Sequence, residues 1–145
     1  MNIIDLFLAF KFNPSLLNSF NVTSGDKVLY CWYDAYSFRV YIGMGNKDRP
    51  YKHRNDLLSR SLNNNWSIII IGNLSQESAK VLESFFIWYG TQTMSLSPVK
   101  CEKAKFGCLL NKKRERSYEK YIPYKLLNGN YIECIIGGET DCNWW

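Results

Sequence analysis

Arg49 and His53 stand four residues apart, just after the segment Val40-Tyr41-Ile42-Gly43-Met44-Gly45, and His53 is the only histidine of the chain. A phenol, a guanidinium and an imidazole therefore gather around what reads as a short strand ending in a glycine turn. Guanidinium groups bind oxyanions and imidazoles move protons near neutral pH, so the combination suits a site that handles phosphate. Residues four apart are neighbours on a helix, which puts Arg49 and His53 on one face if a helix starts near Pro50. Glu83 is the second residue of interest. Its helical neighbours include Ala79, Phe86 and Ile87, with Lys80 the one charged exception. A carboxylate on so apolar a surface must be paired, reach water or hold a cation. Gly43-x-Gly45 lacks the Lys-Ser/Thr of a phosphate-binding loop, and no GxSxG, HExxH or paired-carboxylate pattern occurs. Kinase, serine hydrolase and zinc protease chemistry therefore have no footing.

The elements that must position these residues are legible from periodicity. Ile3 to Phe12 reads as an amphipathic helix stopped by Asn13-Pro14, with a further helical turn over Ser15 to Phe20. Lys27 to Tyr33 alternates, with Val28, Tyr30 and Trp32 on one face and Leu29, Cys31 and Tyr33 on the other. Phe38 to Gly43 reads as its return strand, giving a hairpin. A helix is expected from Pro50 to Leu62, with Asp48 as N-cap. Trp66 to Ile71 is apolar throughout and reads as a buried strand, followed by a turn and cap at Gly72-Asn73-Leu74-Ser75. Gln76 to Tyr89 reads as a strong helix with Gly90 as its C-cap. Beyond it, a short strand is expected within Gly107 to Asn111, a helical turn at Arg116 to Lys120 and a strand at Tyr131 to Ile136.

The chain has 145 residues, 46% of them hydrophobic and 16% aromatic, enough for one domain with a substantial core. No apolar run reaches the roughly 20 residues that cross a bilayer, so no membrane partner is expected. The amino terminus has no basic region of a signal peptide, and a cytoplasmic location follows as the expectation. The five cysteines form no CxxC pair and read as free thiols; a zinc site from the carboxy-terminal ones is the weaker reading. The net charge of +5 is clustered. Lys100 to Lys125 carries nine basic residues against Glu102, Glu115 and Glu119, and Arg39 to Arg60 carries six against Asp48 and Asp56. Clustered positive charge is the footprint of a polyanion binder.

Taken in order, Tyr30 in Val28-Leu29-Tyr30, Tyr41-Ile42-Gly43, Arg49, His53 and Glu83 resemble the GIY-YIG nuclease superfamily, in the branch with a Tyr-Val/Ile-Gly-x-Gly signature followed by Arg and His. Val28-Leu29 stands where the family has Gly-Ile, whereas Tyr30 and the second triad are intact. The resemblance covers residues 27 to 90. It implies an α+β fold, a small three-stranded antiparallel sheet flanked by helices, with residues 1–26 a helical addition and 91–145 a basic extension. It also implies a metal-dependent endonuclease cutting nucleic acid, with double-stranded DNA the expected partner and one Mg²⁺ or Mn²⁺ the cofactor. Under it Glu83 holds the metal, Tyr30 stands near the attacking water as base or as hydrogen-bond partner, and Tyr41 positions water or phosphate. Arg49 binds the scissile phosphate, and His53 assists proton transfer or orients Tyr30. The family often places an Asn or similar polar residue after the glutamate helix, and Asn111 is the nearest match. Lys47, Lys52 and Arg54, and Asn111 with Lys112, Lys113, Arg114 and Arg116, are the expected nucleic-acid contacts. A phage-encoded or mobile-element origin is the expected setting.

Two other classes compete. A catalytically inactive module on the same scaffold, binding nucleic acid or a protein as inhibitor or adaptor, is motivated by the altered first triad. An unrelated RNA-binding α+β domain would use Tyr and Trp as stacking platforms.

Overall fold

Asn2 caps the first helix: its side-chain oxygen accepts the Asp5 N–H at 2.8 Å at the start of α1 (Ile3–Phe12). The computed structural model describes residues 2–52, 66–93, 95–96 and 108–111. The remaining elements are a 3-10 helix (Pro14–Phe20), β1 (Lys27–Asp34), β2 (Arg39–Gly45), α2 (Arg49–Lys52), β3 (Trp66–Leu74), α3 (Gln76–Thr93), β4 (Ser95–Leu96) and β5 (Cys108–Leu109). The stretch of the expected second helix from His53 to Leu62, the turn at Arg116 to Lys120 and the strand at Tyr131 to Ile136 lie outside the described residues.

β1 is antiparallel to both β2 and β3, which gives the expected three-stranded antiparallel sheet among helices. β5 adds to β2 in parallel, and β4 to β5, so the described strands lie in the order β3-β1-β2-β5-β4. β5 is the short strand expected within Gly107 to Asn111, here joined to the sheet, whereas the two-residue β4 lies where no strand is expected.

Each of the three glycine signals proves to be something other than a boundary. Gly43 and Gly45 lie inside β2, paired with Tyr30 and Val28, and form no turn. β3 continues through Gly72 and Asn73, which has φ 59°, while the ladder shifts between Lys27 and Leu29. That is a bulge in a continuing strand. α3 runs past Gly90 to Thr93. A Cβ at Gly90 would meet Ile3 and Leu109 at 3.1–3.2 Å, so the glycine is there for packing.

Alternation along β1 divides the core in two. On one face Leu29 and Cys31 join Val40, Ile42, Ile69 and Ile71 against α1, the 3-10 helix and α3. This side is closed by a cluster of rings, with Phe7–Phe86 at 4.6 Å and Phe20–Phe85 at 5.0 Å between centroids. Residues 2–26 therefore supply core that α3 alone could not cover. On the other face Val28, Tyr30, Trp32 and Leu110 pack with Tyr41, Trp66, Ile68 and Ile70. Asp34 and Arg39 form the last rung of the hairpin, both fully buried, so Arg39 does not belong to any exposed basic face. Burial pushes the free Cys31 thiol up, and it remains protonated at neutral pH. The outer edge of β3 is partly closed by Lys11, whose Nζ donates to the Ile70 carbonyl at 2.5 Å. No helix among the described residues is long and apolar enough to cross a membrane.

Candidate active site

Tyr30 occupies the middle of the central strand, opposite Gly43 on β2 and Ile70 on β3, and its residue is 1% exposed. Its ring lies across Gly43. A Cβ at that position would stand 2.4 Å from both Cζ and Oη of the phenol, far inside van der Waals contact. Two residues on, a Cβ at Gly45 would stand 2.7 Å from Cγ and 2.9 Å from Cβ of Arg49. The Gly-x-Gly pattern thus has a tertiary cause: one glycine leaves room for the phenol, the other for the stem of the arginine.

Arg49 opens α2. Its N–H donates to the Asn46 carbonyl at 2.9 Å, and its guanidinium donates to the Tyr30 phenol oxygen. The next residue, Pro50, is buried, and its carbonyl accepts Nε1–H of Trp32 at 2.8 Å. Tyr41 lies on the same face as Tyr30, with ring centroids 6.4 Å apart and planes tilted by 33°. α3 packs on the opposite face of the sheet and carries the half-buried Glu83, whose carboxylate bears electrostatically on the phenol. Four of the expected residues, Tyr30, Tyr41, Arg49 and Glu83, are therefore brought together from β1, β2, α2 and α3. His53 lies outside the described residues.

The electrostatics follow from this arrangement. Burial pushes the Tyr30 phenol well above its ordinary value, and Tyr41 and the Glu83 carboxylate push it the same way. The Arg49 charge and its hydrogen bond pull it back, without cancelling the desolvation. Tyr30 is a neutral phenol at pH 7 in the free protein.

Lys47, Arg49, Tyr51 and Lys52 are all exposed, so cations and an aromatic ring share one surface at α2. Lys52 pairs with Asp48 at 3.1 Å and holds that carboxyl below the usual range. Arg54, Lys112, Lys113, Arg114 and Arg116 lie outside the described residues.

Asn111 has a different task from surface contact. It is buried, its Oδ1 accepts the Ile42 N–H at 2.9 Å, and its Nδ2 donates to the Ile42 carbonyl at 2.7 Å. The amide side chain imitates the backbone of a neighbouring strand and continues the ladder that Leu110 N–H begins at the Val40 carbonyl. Asn111→Ala is expected to lower unfolding free energy by roughly 2–4 kcal/mol, because two buried backbone groups lose their partners. Urea unfolding followed by circular dichroism measures this; a change under half a kcal/mol would mean that other groups satisfy Ile42.

Among the described residues no group of three or more His, Cys, Asp or Glu side chains gathers to cage a metal. Glu83 alone still fits a hard divalent ion. Mg²⁺ typically takes one or two carboxylates, completing its shell with water and substrate phosphate, whereas zinc requires three or four protein ligands. Trp32 and the structural role of Asn111 carry no local sequence signal. Their partners lie 18 and 69 residues away. Comparison with protein-family models, with curated proteins and with solved structures yields no match.

Proposed function

We propose that this protein is a metal-dependent endonuclease that hydrolyses phosphodiester bonds of nucleic acid, with DNA as its substrate. The observation that carries the reading is the buried Tyr30 phenol bonded to the Arg49 guanidinium, with Tyr41 and Glu83 close enough to act on its charge. A core tyrosine needs one hydrogen-bond partner. It does not need an exposed arginine and a carboxylate acting on it, nor one glycine that leaves room for its ring and a second that leaves room for the arginine stem. The resemblance to the GIY-YIG superfamily supports the same assignment.

In this reading Arg49 binds the scissile phosphate and neutralises the charge that builds on its oxygens. Tyr30, with its oxygen accepting from Arg49, has its own O–H free to donate, and it orients water or phosphate in the neutral state. It acts as a base only when added positive charge draws its proton affinity down. Tyr41 holds water or phosphate beside it. Glu83 would hold one Mg²⁺ or Mn²⁺, and that ion would supply Lewis-acid stabilisation of the phosphate. Exposed Lys47, Lys52 and Tyr51 give the neighbouring nucleic acid charge and a stacking surface.

Supercoiled plasmid incubated with the protein and Mg²⁺ or Mn²⁺ is expected to become nicked circle. Chelation is expected to stop the reaction, and Arg49→Ala to slow it by about 10²–10³-fold. Absence of cleavage across DNA and RNA substrates with either metal would overturn the assignment.

Two observations favour a second reading, a catalytically inactive module that binds nucleic acid or a protein partner. The phenol is pushed away from the neutral range, and Val28-Leu29 precedes it where active relatives of the resembled family have Gly-Ile. Tight binding without cleavage or metal uptake would select it.

A further inference from the structure

Arg49 is exposed, and an exposed arginine on a helical first turn ordinarily samples many positions. Here it is held through its backbone, its side-chain stem and the residue that follows it. Its N–H is held by the Asn46 carbonyl, its stem lies against the bare Cα of Gly45, and the following carbonyl, that of Pro50, is held by Trp32. The last of these contacts is buried and comes from the central strand. Trp32 is two residues from Tyr30 on the same face of β1, and is itself 4% exposed. The indole therefore ties the start of α2 to the strand that carries the phenol. Proline has no N–H, so the carbonyl is the only backbone hydrogen-bonding group that Pro50 offers.

We propose that Trp32 is a positioning residue: through its Nε1–H bond to the Pro50 carbonyl it sets the distance between the Arg49 guanidinium and the Tyr30 phenol. The proposal deepens the endonuclease reading by naming what holds its phosphate-binding group in place. The need for such a holder is physical. A displacement of about 1 Å in a reacting constellation costs on the order of a hundredfold in rate, and a guanidinium on a flexible stem does not keep that tolerance alone.

The test uses the full chain with Trp32→Phe, which keeps an aromatic ring and removes the donor. A second version carries 3-benzothienylalanine at position 32, which keeps the bicyclic shape and loses only the N–H, so that packing loss is separated from bond loss. The first readout needs no activity. With ¹³Cζ-labelled tyrosine, the Tyr30 resonance is expected to move in Arg49→Ala, and to move in the same direction in both position-32 variants. In the Arg49→Ala background the same changes at position 32 are expected to move it no further. A merely structural tryptophan would disturb the ring equally in both backgrounds, and that result, or an unmoved Tyr30 signal with the N–H removed, overturns the proposal. The second readout is plasmid nicking, where loss of the N–H is expected to reduce kcat about tenfold or more with little change in KM. It is expected to cost nothing further once Arg49 is Ala. If the wild type does not cleave, the endonuclease reading fails, while the tyrosine resonance still decides the role of Trp32.

Discussion

Glu83→Ala is expected to abolish metal-dependent nicking, with a fall of about 10²–10³-fold or more, and to leave the fold in place. The contrast rests on position. Glu83 is half-buried on α3, so its truncation opens no sealed cavity in the ring cluster formed by Phe7, Phe10, Phe85 and Phe86. Partly exposed substitutions of this kind stay near half a kcal/mol of stability. Its chemical effect is larger, because in the proposed mechanism it is the carboxylate that would hold the metal ion. Removing it takes away one of the influences that hold the phenol protonated, so the Tyr30 pKa is expected to fall in the variant. An activity loss despite that fall assigns the carboxylate to the cation rather than to tuning Tyr30. Nicking rates, thermal melting and calorimetric titration with Mn²⁺ give the three measurements. Equal nicking by wild type and Glu83→Ala on several DNA substrates would sink the enzyme reading.

Gly43→Ala is expected to damage stability and activity together. The added methyl would fall 2.4 Å from Cζ and Oη of Tyr30, and the ring has no room to retreat because the residue is 1% exposed among Val28, Trp32 and Leu110. Overpacking of this kind costs about 1–3 kcal/mol or more. Whatever relief the chain finds must move the phenol away from Arg49, which adds a loss of on the order of a hundredfold in rate. Gly72→Ala is the matching control on the sheet. Its new Cβ would have only Val28 Cγ1 within reach, at 4.0 Å, so stability is expected to hold or rise slightly. Chemical denaturation of the two variants side by side separates a general dislike of alanine in these strands from the particular conflict at position 43.

Local patterning made the frame legible. The alternation of Val28, Tyr30 and Trp32 against Leu29 and Cys31 is enough to assign both faces of β1, and the long apolar periodicity after Gln76 marks α3. Glycine misled at positions 43, 45, 72 and 90, and for one reason. Sequence reading treats glycine as a backbone signal, whereas at three of these four positions the residue answers to a side chain elsewhere: Tyr30, Arg49, and the pair Ile3 and Leu109. The site shows the same division. The residue types at 30, 41, 49 and 83 were recognisable in order, but nothing in the sequence tells that Asn111 would occupy both hydrogen-bonding groups of Ile42, or that an indole would hold the carbonyl of Pro50. These are contacts between distant parts of the chain, decided by the fold as a whole.

The bond between Asn111 and Ile42 has a consequence for how this fold can be handled as an engineering part. Residues 27–90 resemble a portable cassette, since they carry Tyr30, Tyr41, Arg49 and Glu83. Yet the strand bearing Tyr41 and Gly43 is bordered by a residue 69 positions away, and the helix bearing Glu83 rests on phenylalanines from the first twenty residues. A fusion that borrows only the middle would carry all four of these side chains and still leave Ile42 without its neighbour and Phe85 and Phe86 facing water. The practical unit of transfer runs at least from Asn2 to Asn111, and swaps with other proteins are best joined outside those limits.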